Sequence, residues 1–516
     1  MQSPAAGFIT GRVRAFLVTT VLAVSAVSAA ATRPPAVAGS FYTDDPKQLR
    51  FVVEQALKAS PAARDARALV VPHAGYAFSG DVAGKAFATL ETKGLRRVII
   101  LGPSHHRAFS GGALPAKGIG GFFTPLGEVR VDRAAVESLR EIPNFDGPSS
   151  AHGPEHSLEV ELPFLQVVAP EAEIIPILVG NETDAEMAKR MAEALVPLLD
   201  DGTAVIVSSD FTHHGDRYRW TPFSEPDLGA KLLHLGQVTA GRLAAVDPDG
   251  FTYQVEVSGD TVCGVRPAMV LAELLAHAFE GGGEVLEVTT SGHRVHSWEL
   301  SVTYAAVAFR GSWTGWKKPG LTPLLGQLSA PQGAQTVALA RATLESLLLH
   351  DGSLAEWYAG SDQREALSAR AGAFVTLNHI GVKVGDPGRL RACMGLIEAG
   401  QSLSEAVVRA AVWASQDPRF PRLKAGELAE LDVEVSVLSP ARRVAGPSAI
   451  EVGKHGVILE KGRHRAVFLP HVATEQGWDR QTMLEQLARK AGLPSDGWRE
   501  GAHFDVFTAQ IFGEHN

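Results

Sequence analysis

Four short apolar segments in the first half of the chain each end in polar side chains, and this pattern constrains the fold more than any other feature. Their sequences are RALVVPHAGY, RVIILGPSHH, AEIIPILVGN and TAVIVSSDFTHHG. Segments with apolar residues at helical spacing alternate with them, as in TDAEMAKRMAEALVPLLDDG. This alternation predicts a largely parallel β-sheet with helices on its faces.

The polar residues that follow these predicted strands are the first candidates for a functional site. His73 and His105 come just after the first two segments, and Asp210 and His213 follow the fourth. A further segment, GDTVCGVRP, adds Cys263. Because ligands bind outside the carboxyl ends of the strands in open α/β sheets, we expect a metal or catalytic site at that edge.

These side chains allow two sets of metal ligands. His73, His105 and Cys263 would supply two imidazoles and a thiolate, which suit copper, zinc or iron. His73, His105 and Asp210 would instead form a two-histidine, one-carboxylate set, which suits iron(II) with open positions. The ligands come from separate strands, so their spacing does not choose between the sets. With the first set, Asp210 and His213 would lie beside the metal, either supporting its ligands or as acid–base residues. His213 would then transfer protons, and Asp210 would orient it or act as a carboxylate ligand.

A hydrolase is the competing interpretation of the fourth segment. Ser208 and Ser209 lie next to Asp210 and near His213, but neighbours at one strand end rarely form a catalytic triad. The sequence contains no G-x-S-x-G elbow. It also lacks the H-E-x-x-H, C-x-x-C, Walker and G-x-G-x-x-G motifs, so nucleotide-phosphate chemistry has no support.

The segment EHSLEVELPF is a separate concentration of polar residues at the start of a predicted helix. We interpret Glu159 and Glu161 as solvated carboxylates of a capping turn. His156, in the same segment, is a further candidate for the site.

Length and composition limit the possible classes of protein. A chain of 516 residues is expected to form two large domains. Its net charge is -9, with 48 Lys and Arg against 57 Asp and Glu, which argues against nucleic acid as a partner. Only two cysteines are present, so a disulfide framework is excluded.

The amino terminus has the pattern of a cleaved secretory signal. Arg12 and Arg14 precede the apolar run AFLVTTVLAVSAVSAAA, which ends in small residues. We assign residues 1–31 to this signal and expect no transmembrane anchor after cleavage. The mature protein would then be periplasmic or extracellular in a bacterium, and cytoplasmic if the leader is not functional.

The sequence changes character after the first domain, at residues 33–310. Pro, Gly and Ser without a clear period indicate a linker at 311–332. Residues 333–516 mix helix-like segments such as AQTVALARATLESLLLH with strand-like ones such as LDVEVSVLS, which predicts an α+β domain. In this domain Cys393 follows Arg391 closely, so it is either a reactive thiolate or, more simply, a buried thiol.

The motifs AVAGSFYTDDP, VPHAGYAFSG, ILGPSHH, EHSLEVELPFL, PILVG, SSDFTHHG and TVCGVRP, taken together, resemble the Memo family. The resemblance implies an α/β fold like that of class III extradiol dioxygenases. It also implies that His73, His105 and Cys263 bind a metal and that Asp210 and His213 line the same pocket. Extradiol dioxygenases have a carboxylate where this family has Cys263, which favours a redox role for bound copper or iron.

The second domain resembles the AMMECR family through FVTL, GRLRACMG, GVILEKG and FLPHVATEQGWD. That family usually has L-R-G-C-I-G, whereas this chain has Ala392 before Cys393, and the added Cβ puts a ligand site there in doubt. Side by side, the two domains resemble components of the bacterial AmmeMemoRadiSam system. A radical-SAM protein is the partner that this resemblance implies.

Three functions follow from these observations. The first is redox-metal binding of the Memo type, with copper or iron handled, or used in a redox step on an unknown small molecule, at a His/His/Cys pocket. The second is an iron(II)-dependent extradiol-type dioxygenase. The third is a non-catalytic adaptor of an AmmeMemoRadiSam system.

Overall fold

The computed structural model of the chain describes residues 31–59, 63–223, 227–317, 325–349, 367–383, 385–386 and 388–514. The predicted signal segment therefore lies outside the described residues except for Ala31. Residues 318–324 of the predicted linker also lie outside them.

The first domain contains eleven described strands. They are β1 (Ala31–Arg33), β2 (Ala66–Val71), β3 (Arg97–Pro103), β4 (Gly112–Ala113), β5 (Ile119–Thr124), β6 (Gly127–Arg130), β7 (Glu173–Val179), β8 (Thr203–Ser208), β9 (His213–His214), β10 (Phe279–Thr290) and β11 (Ser301–Trp313). The last of these strands extends into the predicted linker as far as Trp313.

Nine described α-helices belong to the same domain. They are α1 (Pro46–Lys58), α2 (Tyr76–Thr89), α3 (Arg133–Arg140), α4 (Leu162–Val168), α5 (Ala185–Leu195), α6 (Leu228–Ala244), α7 (Pro248–Ser258), α8 (Val265–Ala278) and α9 (Ser291–Val295). Local sequence explains several of their starts. The Asp45 carboxylate accepts the backbone N–H of Gln48 ahead of α1, and the Asp184 carboxylate caps α5 in the same way.

The main sheet has the strand order β10-β11-β2-β8-β3-β7-β4, and β9 pairs with β11. Its four central strands, β2, β8, β3 and β7, are parallel, as the alternation of segments predicts. The outer strands β10, β11 and β4 are antiparallel to their neighbours. The short helix α9 joins β10 to β11 directly, without the long crossover that a parallel pair would need.

The central strands are apolar on both faces. Val70, Ile99, Ile175 and Val205 are all fully buried, one from each central strand. Continuous apolar runs of this kind are typical of parallel strands covered by helices on both sides. A second, three-stranded sheet has the order β1-β5-β6. Its residues Phe122 and Val129 belong to the same apolar core as the main sheet.

The second domain contains eight described strands and four described α-helices. The strands are β12 (Gly372–His379), β13 (Leu390–Leu396), β14 (Leu431–Leu438), β15 (Arg442–Val444), β16 (Gly456–Lys461), β17 (His464–Phe468), β18 (His503–Phe507) and β19 (Ala509–Gly513). The helices are α10 (Ala330–Leu349), α11 (Leu403–Ala414), α12 (Val472–Glu475) and α13 (Arg480–Lys490).

These strands form two antiparallel four-stranded sheets, of order β13-β12-β14-β19 and β15-β18-β16-β17. The helices α10 and α11 cover one face of the first sheet, so the domain is α+β as predicted. The predicted apolar face of α10 is confirmed, because Val337, Ala340 and Leu344 are buried. Val257 of α7 belongs to the same apolar core, so the two domains pack against each other.

None of the helices in the described part of the chain is both long and apolar enough to span a membrane.

Candidate metal centre

Three neighbouring parallel strands bring the predicted site residues to one edge of the main sheet. β8 lies between β2 and β3, and all three run in the same direction. Their carboxyl ends therefore lie side by side. His73 follows β2, Asp210 follows β8 and His105 follows β3.

His73 is the most buried of the predicted ligands, with 2% of its surface exposed. Its Nδ1 lies 2.8 Å from Oγ of Ser208, and its Nε2 lies 3.2 Å from Sγ of Cys263. Burial, together with the nearby imidazoles of His105 and His156, holds the pKa of His73 well below its ordinary value. His73 is therefore neutral at neutral pH, which is the state that can bind a metal.

His105 is more exposed and is held by a carboxylate. Its Nδ1 lies 2.9 Å from Oε1 of Glu155, and its backbone N–H donates to Oε2 at 2.7 Å. Its ring stands edge-on to that of His73, with 5.2 Å between the ring centroids. With Nδ1 engaged by Glu155, Nε2 is the nitrogen left for a ligand.

Cys263 lies in the loop before α8, which begins at Val265. Its Sγ is 3.4 Å from the carbonyl oxygen of Asp210 as well as 3.2 Å from His73. The following residue allows this close approach, since a Cβ on Gly264 would lie 2.3 Å from Cβ of Ser209. Burial raises the pKa of the Cys263 thiol well above its usual range, and the Asp210 carboxyl adds to the effect.

His73, His105 and Cys263 together form a group that could hold a metal ion. One ligand atom from each residue lies within 4.8 Å of the other two. Over the residues that the structure describes, the other such group is His105, Glu155 and His156. Asp210 belongs to neither group.

Asp210 is buried next to this group but faces the backbone. Its Oδ1 accepts the backbone N–H of His73 at 2.9 Å. Burial raises the pKa of the Asp210 carboxyl to about 7, although hydrogen bonds from the backbone of His73 and Ala74 oppose the shift. Its position suits fixing the loop that carries His73.

His213 lies at the rim of the site, partly buried. Its Nδ1 lies 2.8 Å from the carbonyl oxygen of Phe211 and 3.0 Å from that of Thr261. These two carbonyls hold the ring through Nδ1. Burial lowers the pKa of His213, so its ring is neutral and its Nε2 remains a proton acceptor.

Comparison with known proteins identifies the family. The Memo-like protein family matches residues 33–308, and the AMMECR1 family matches residues 337–512. A MEMO1 family protein of Methanopyrus kandleri is 34% identical over 294 residues, which cover 54% of this chain and 99% of that protein. The protein MEMO1 of Danio rerio is 32% identical over 286 residues, covering 52% and 95% respectively.

The chain belongs to the Memo-like protein family. An AMMECR1 domain follows its Memo-like domain, as the sequence motifs predict. Among solved structures, the crystal structure of an uncharacterized protein from Pyrococcus horikoshii is 36% identical and covers 36% of this chain and 93% of its own, with a TM-score of 0.32.

Some residues of the Memo-like site were not predicted from the sequence. Glu155 holds His105 and Ser208 contacts His73, but neither lies in a sequence motif that marks it as part of a metal site. The interpretation of Glu159 and Glu161 as solvated carboxylates is wrong, because both are fully buried. The available signal was the presence of Glu155, Glu159 and Glu161 in an otherwise apolar stretch. Glutamates in such a stretch are buried only when they have partners, which indicates a structural or functional role.

A serine hydrolase site is not formed in the Memo-like domain around Ser208. Its hydroxyl is fully buried and donates to the carbonyl oxygen of Ser157 at 2.6 Å. His156, by contrast, does reach the site, since its ring stacks on that of His105 with 4.7 Å between centroids.

In the AMMECR1 domain, Cys393 lies on β13 and is partly buried. Thr376 donates a hydrogen bond to its Sγ at 3.2 Å. The side chain of Arg391 points elsewhere and pairs with Glu427 at 2.8 Å. Burial raises the pKa of the Cys393 thiol, so the structure favours the simple buried thiol over a reactive thiolate.

Proposed function

We propose that the Memo-like domain binds a redox-active metal ion, copper or iron, at His73, His105 and Cys263. The ion would be handled there, or used in a redox step on a small molecule. The observation that carries this proposal is the convergence of the three ligand atoms within 4.8 Å. Two imidazoles and a sulfur form a soft donor set, which disfavours magnesium and calcium.

The surroundings of the two histidines support a metal site. Histidines that bind metals usually donate their other ring N–H to a carboxylate, backbone carbonyl or water, which fixes the ring. Glu155 is such a partner for His105, and the hydroxyl of Ser208 takes the corresponding place at Nδ1 of His73.

The protonation of the Cys263 thiol is also consistent with a cation-binding site. Without a positive charge nearby, burial keeps its thiol protonated. A bound cation would stabilise the thiolate and release the proton, as metal binding by cysteine generally does. The neutral His213, whose Nδ1 is engaged by carbonyl oxygens, would take up such a proton at Nε2.

Copper or iron would supply one-electron chemistry when bound at this site. The chain would contribute the remaining functions. Asp210 fixes the backbone of the His73 loop, and His213 accepts or returns protons at Nε2. The burial of His73 keeps solvent from one side of the donor set.

An extradiol-type dioxygenase has less support from the geometry. The two-histidine, one-carboxylate set would need Asp210 as a ligand, but this carboxyl accepts a backbone hydrogen bond from His73 instead. Cys263 is the residue that approaches Nε2 of His73.

Metal content, measured by mass spectrometry on protein purified without chelators, tests the proposal. Copper(I) and iron(II) would each be offered to wild-type protein and to the His73→Ala and Cys263→Ala variants. We expect about one ion per wild-type chain and a strong loss in both variants, since each removes one of three ligands.

The Cys393→Ala variant is the matched control, because it removes the other cysteine of the chain and leaves the donor set intact. It should retain the wild-type metal content. The proposed site is refuted if wild-type protein takes up neither metal, or if Cys263→Ala binds as much metal as wild type. Either result would favour a non-catalytic adaptor role.

A further inference from the structure

Glu161 is a carboxyl group in the core of the Memo-like domain with no charged partner that explains it. It is fully buried at the end of a 3-10 turn, just before α4. Its Oε1 lies 2.9 Å from Oγ of Ser208, and its Oε2 has no hydrogen-bond partner among the described residues. An ionised carboxylate in such a place would lose its hydration without compensation.

The two neighbouring glutamates show what a buried carboxylate needs. Glu155 accepts backbone N–H groups from His105, His156 and Ser157. Glu159 pairs with the Arg33 guanidinium at 2.7 Å. Glu161 has neither kind of partner, which distinguishes it from both.

The protons around Ser208 can be assigned by counting. Its hydroxyl oxygen has three neighbours: the carbonyl oxygen of Ser157 at 2.6 Å, Nδ1 of His73 at 2.8 Å and Oε1 of Glu161 at 2.9 Å. A serine hydroxyl donates one hydrogen bond and accepts up to two. A carbonyl oxygen only accepts, so the single proton of Ser208 points to Ser157.

The other two neighbours must then donate to Ser208. We infer that Glu161 is a neutral acid that donates to Ser208, and that Ser208 in turn accepts from Nδ1 and holds His73 in its Nδ1–H tautomer. The lone pair of His73 Nε2 is then directed towards Sγ of Cys263, 3.2 Å away. Glu161 thus acts as a positioning residue for a ligand that it does not touch.

Electrostatics agree with this assignment. Burial raises the pKa of the Glu161 carboxyl well above its ordinary value, and the Asp210 carboxyl adds to the effect. With the proton on Glu161, this carboxyl adds no buried charge behind His73. The use of the tautomer in metal binding rests on the proposed function, but the tautomer itself is a property of the metal-free protein.

Neutron diffraction from perdeuterated, metal-free crystals tests the inference directly. The nuclear density should show deuterium on Glu161 Oε1, on Ser208 Oγ towards Ser157, and on Nδ1 of His73. Deuterium on Nε2 of His73 with a bare Nδ1, or a carboxylate at Glu161 without deuterium, would overturn the inference. Either result is obtained whether or not the protein binds metal.

Copper(I) affinity, measured by competition with a chromophoric chelator, supplies a second readout. Ser208→Ala should bind about 10–100-fold more weakly than wild type, because loss of an outer partner of a ligating histidine has this effect. Glu161→Gln keeps a neutral donor and should stay within about threefold, whereas Glu161→Leu, without a donor, should lose about tenfold. Equal affinity for Glu161→Leu and wild type would contradict the positioning role.

Two variants in the AMMECR1 domain serve as controls for these substitutions. Ser436→Ala removes another buried serine hydroxyl, and Glu434→Gln neutralises another glutamate on the same strand, β14. Neither should change copper(I) affinity. If wild-type protein binds no copper(I), the proposed function fails while the neutron map still decides the tautomer.

Discussion

The carboxylate of Glu155 accepts two hydrogen bonds from His105, one from Nδ1 of the ring at 2.9 Å and one from the backbone N–H at 2.7 Å. The same carboxylate accepts the backbone N–H groups of His156 and Ser157. Burial alone would raise the pKa of Glu155, but the hydrogen bonds from His105 and His156 lower it far below the ordinary range. Glu155 therefore remains ionised and fixes the exposed ligand of the proposed site.

Replacing Glu155 by Gln should weaken metal binding without unfolding the domain. The amide cannot accept on both of its ends, so His105 loses one of its two contacts. We expect copper(I) affinity to fall about 10–100-fold, as is usual for changes around a ligating histidine. Competition titration measures the effect. The exposed Glu141→Gln variant should bind like wild type, and an unchanged affinity in Glu155→Gln would contradict the role of Glu155.

The buried pair of Arg33 and Glu159 should contribute strongly to stability. The carboxylate of Glu159 accepts from Arg33 at 2.7 Å and from the hydroxyl of Tyr42 at 2.6 Å. Glu159→Ala leaves the guanidinium buried without its partner, so we expect a loss of about 3–5 kcal/mol. Tyr42→Phe removes one hydrogen bond and should cost about 1–3 kcal/mol.

Thermal unfolding followed by calorimetry checks both values for this pair. The exposed pair of Glu54 and Lys58, 3.8 Å apart on α1, provides the control. Glu54→Ala should change stability by less than about 1 kcal/mol, as surface ion pairs generally do. A melting temperature for Glu159→Ala close to that of Glu54→Ala would show that the buried pair is not a stabilising contact.

His152 should make the first domain sensitive to mild acid. Its Nε2 lies 2.9 Å from the carbonyl oxygen of Ala113, and burial lowers the pKa of His152 from 6.5 to about 4. Between pH 6.5 and about pH 4, His152 is protonated in the unfolded chain but not in the folded one. The stability linked to His152 is therefore complete above pH 6.5 and is lost as the pH falls to about 4.

The His152→Gln variant isolates this contribution, because its amide N–H can still donate to Ala113. The stability of wild type should fall by on the order of 3 kcal/mol relative to the variant across this pH range. Melting temperatures of both proteins at a series of pH values give the difference. His503→Gln, on an exposed residue, should follow wild type throughout. A constant wild-type-to-variant difference would mean that His152 titrates normally.

The sequence predicts the central strands and the edge at which the site lies, for a physical reason. Parallel strands buried on both faces appear as continuous apolar runs, and their carboxyl ends must lie at one edge. His73 and Asp210 could be placed near each other on that argument alone. The antiparallel strand β10 was not foreseen, because Gly281, Gly282 and Gly283 within it are typical of a turn.

The partners of the buried charges could not be predicted, because they depend on contacts between segments far apart in the chain. Glu155 and His105 are 50 residues apart, and Arg33 and Glu159 are 126 apart. A glutamate on the surface and one in the core look alike in a single sequence. The sequence likewise does not decide which of Asp210 and Cys263 approaches Nε2 of His73, because this depends on how the loops after separate strands pack.

Cys393 should react slowly with alkylating agents in the folded protein. Its thiol is partly buried, accepts a hydrogen bond from Thr376, and has a raised pKa because of burial. In a Cys263→Ser background, where it is the only thiol, iodoacetamide at neutral pH should modify it at least about tenfold more slowly than in urea, since the thiolate is the nucleophile. Mass spectrometry of timed samples gives both rates. Equal rates would instead support the reactive thiolate that the neighbouring Arg391 suggests in the sequence.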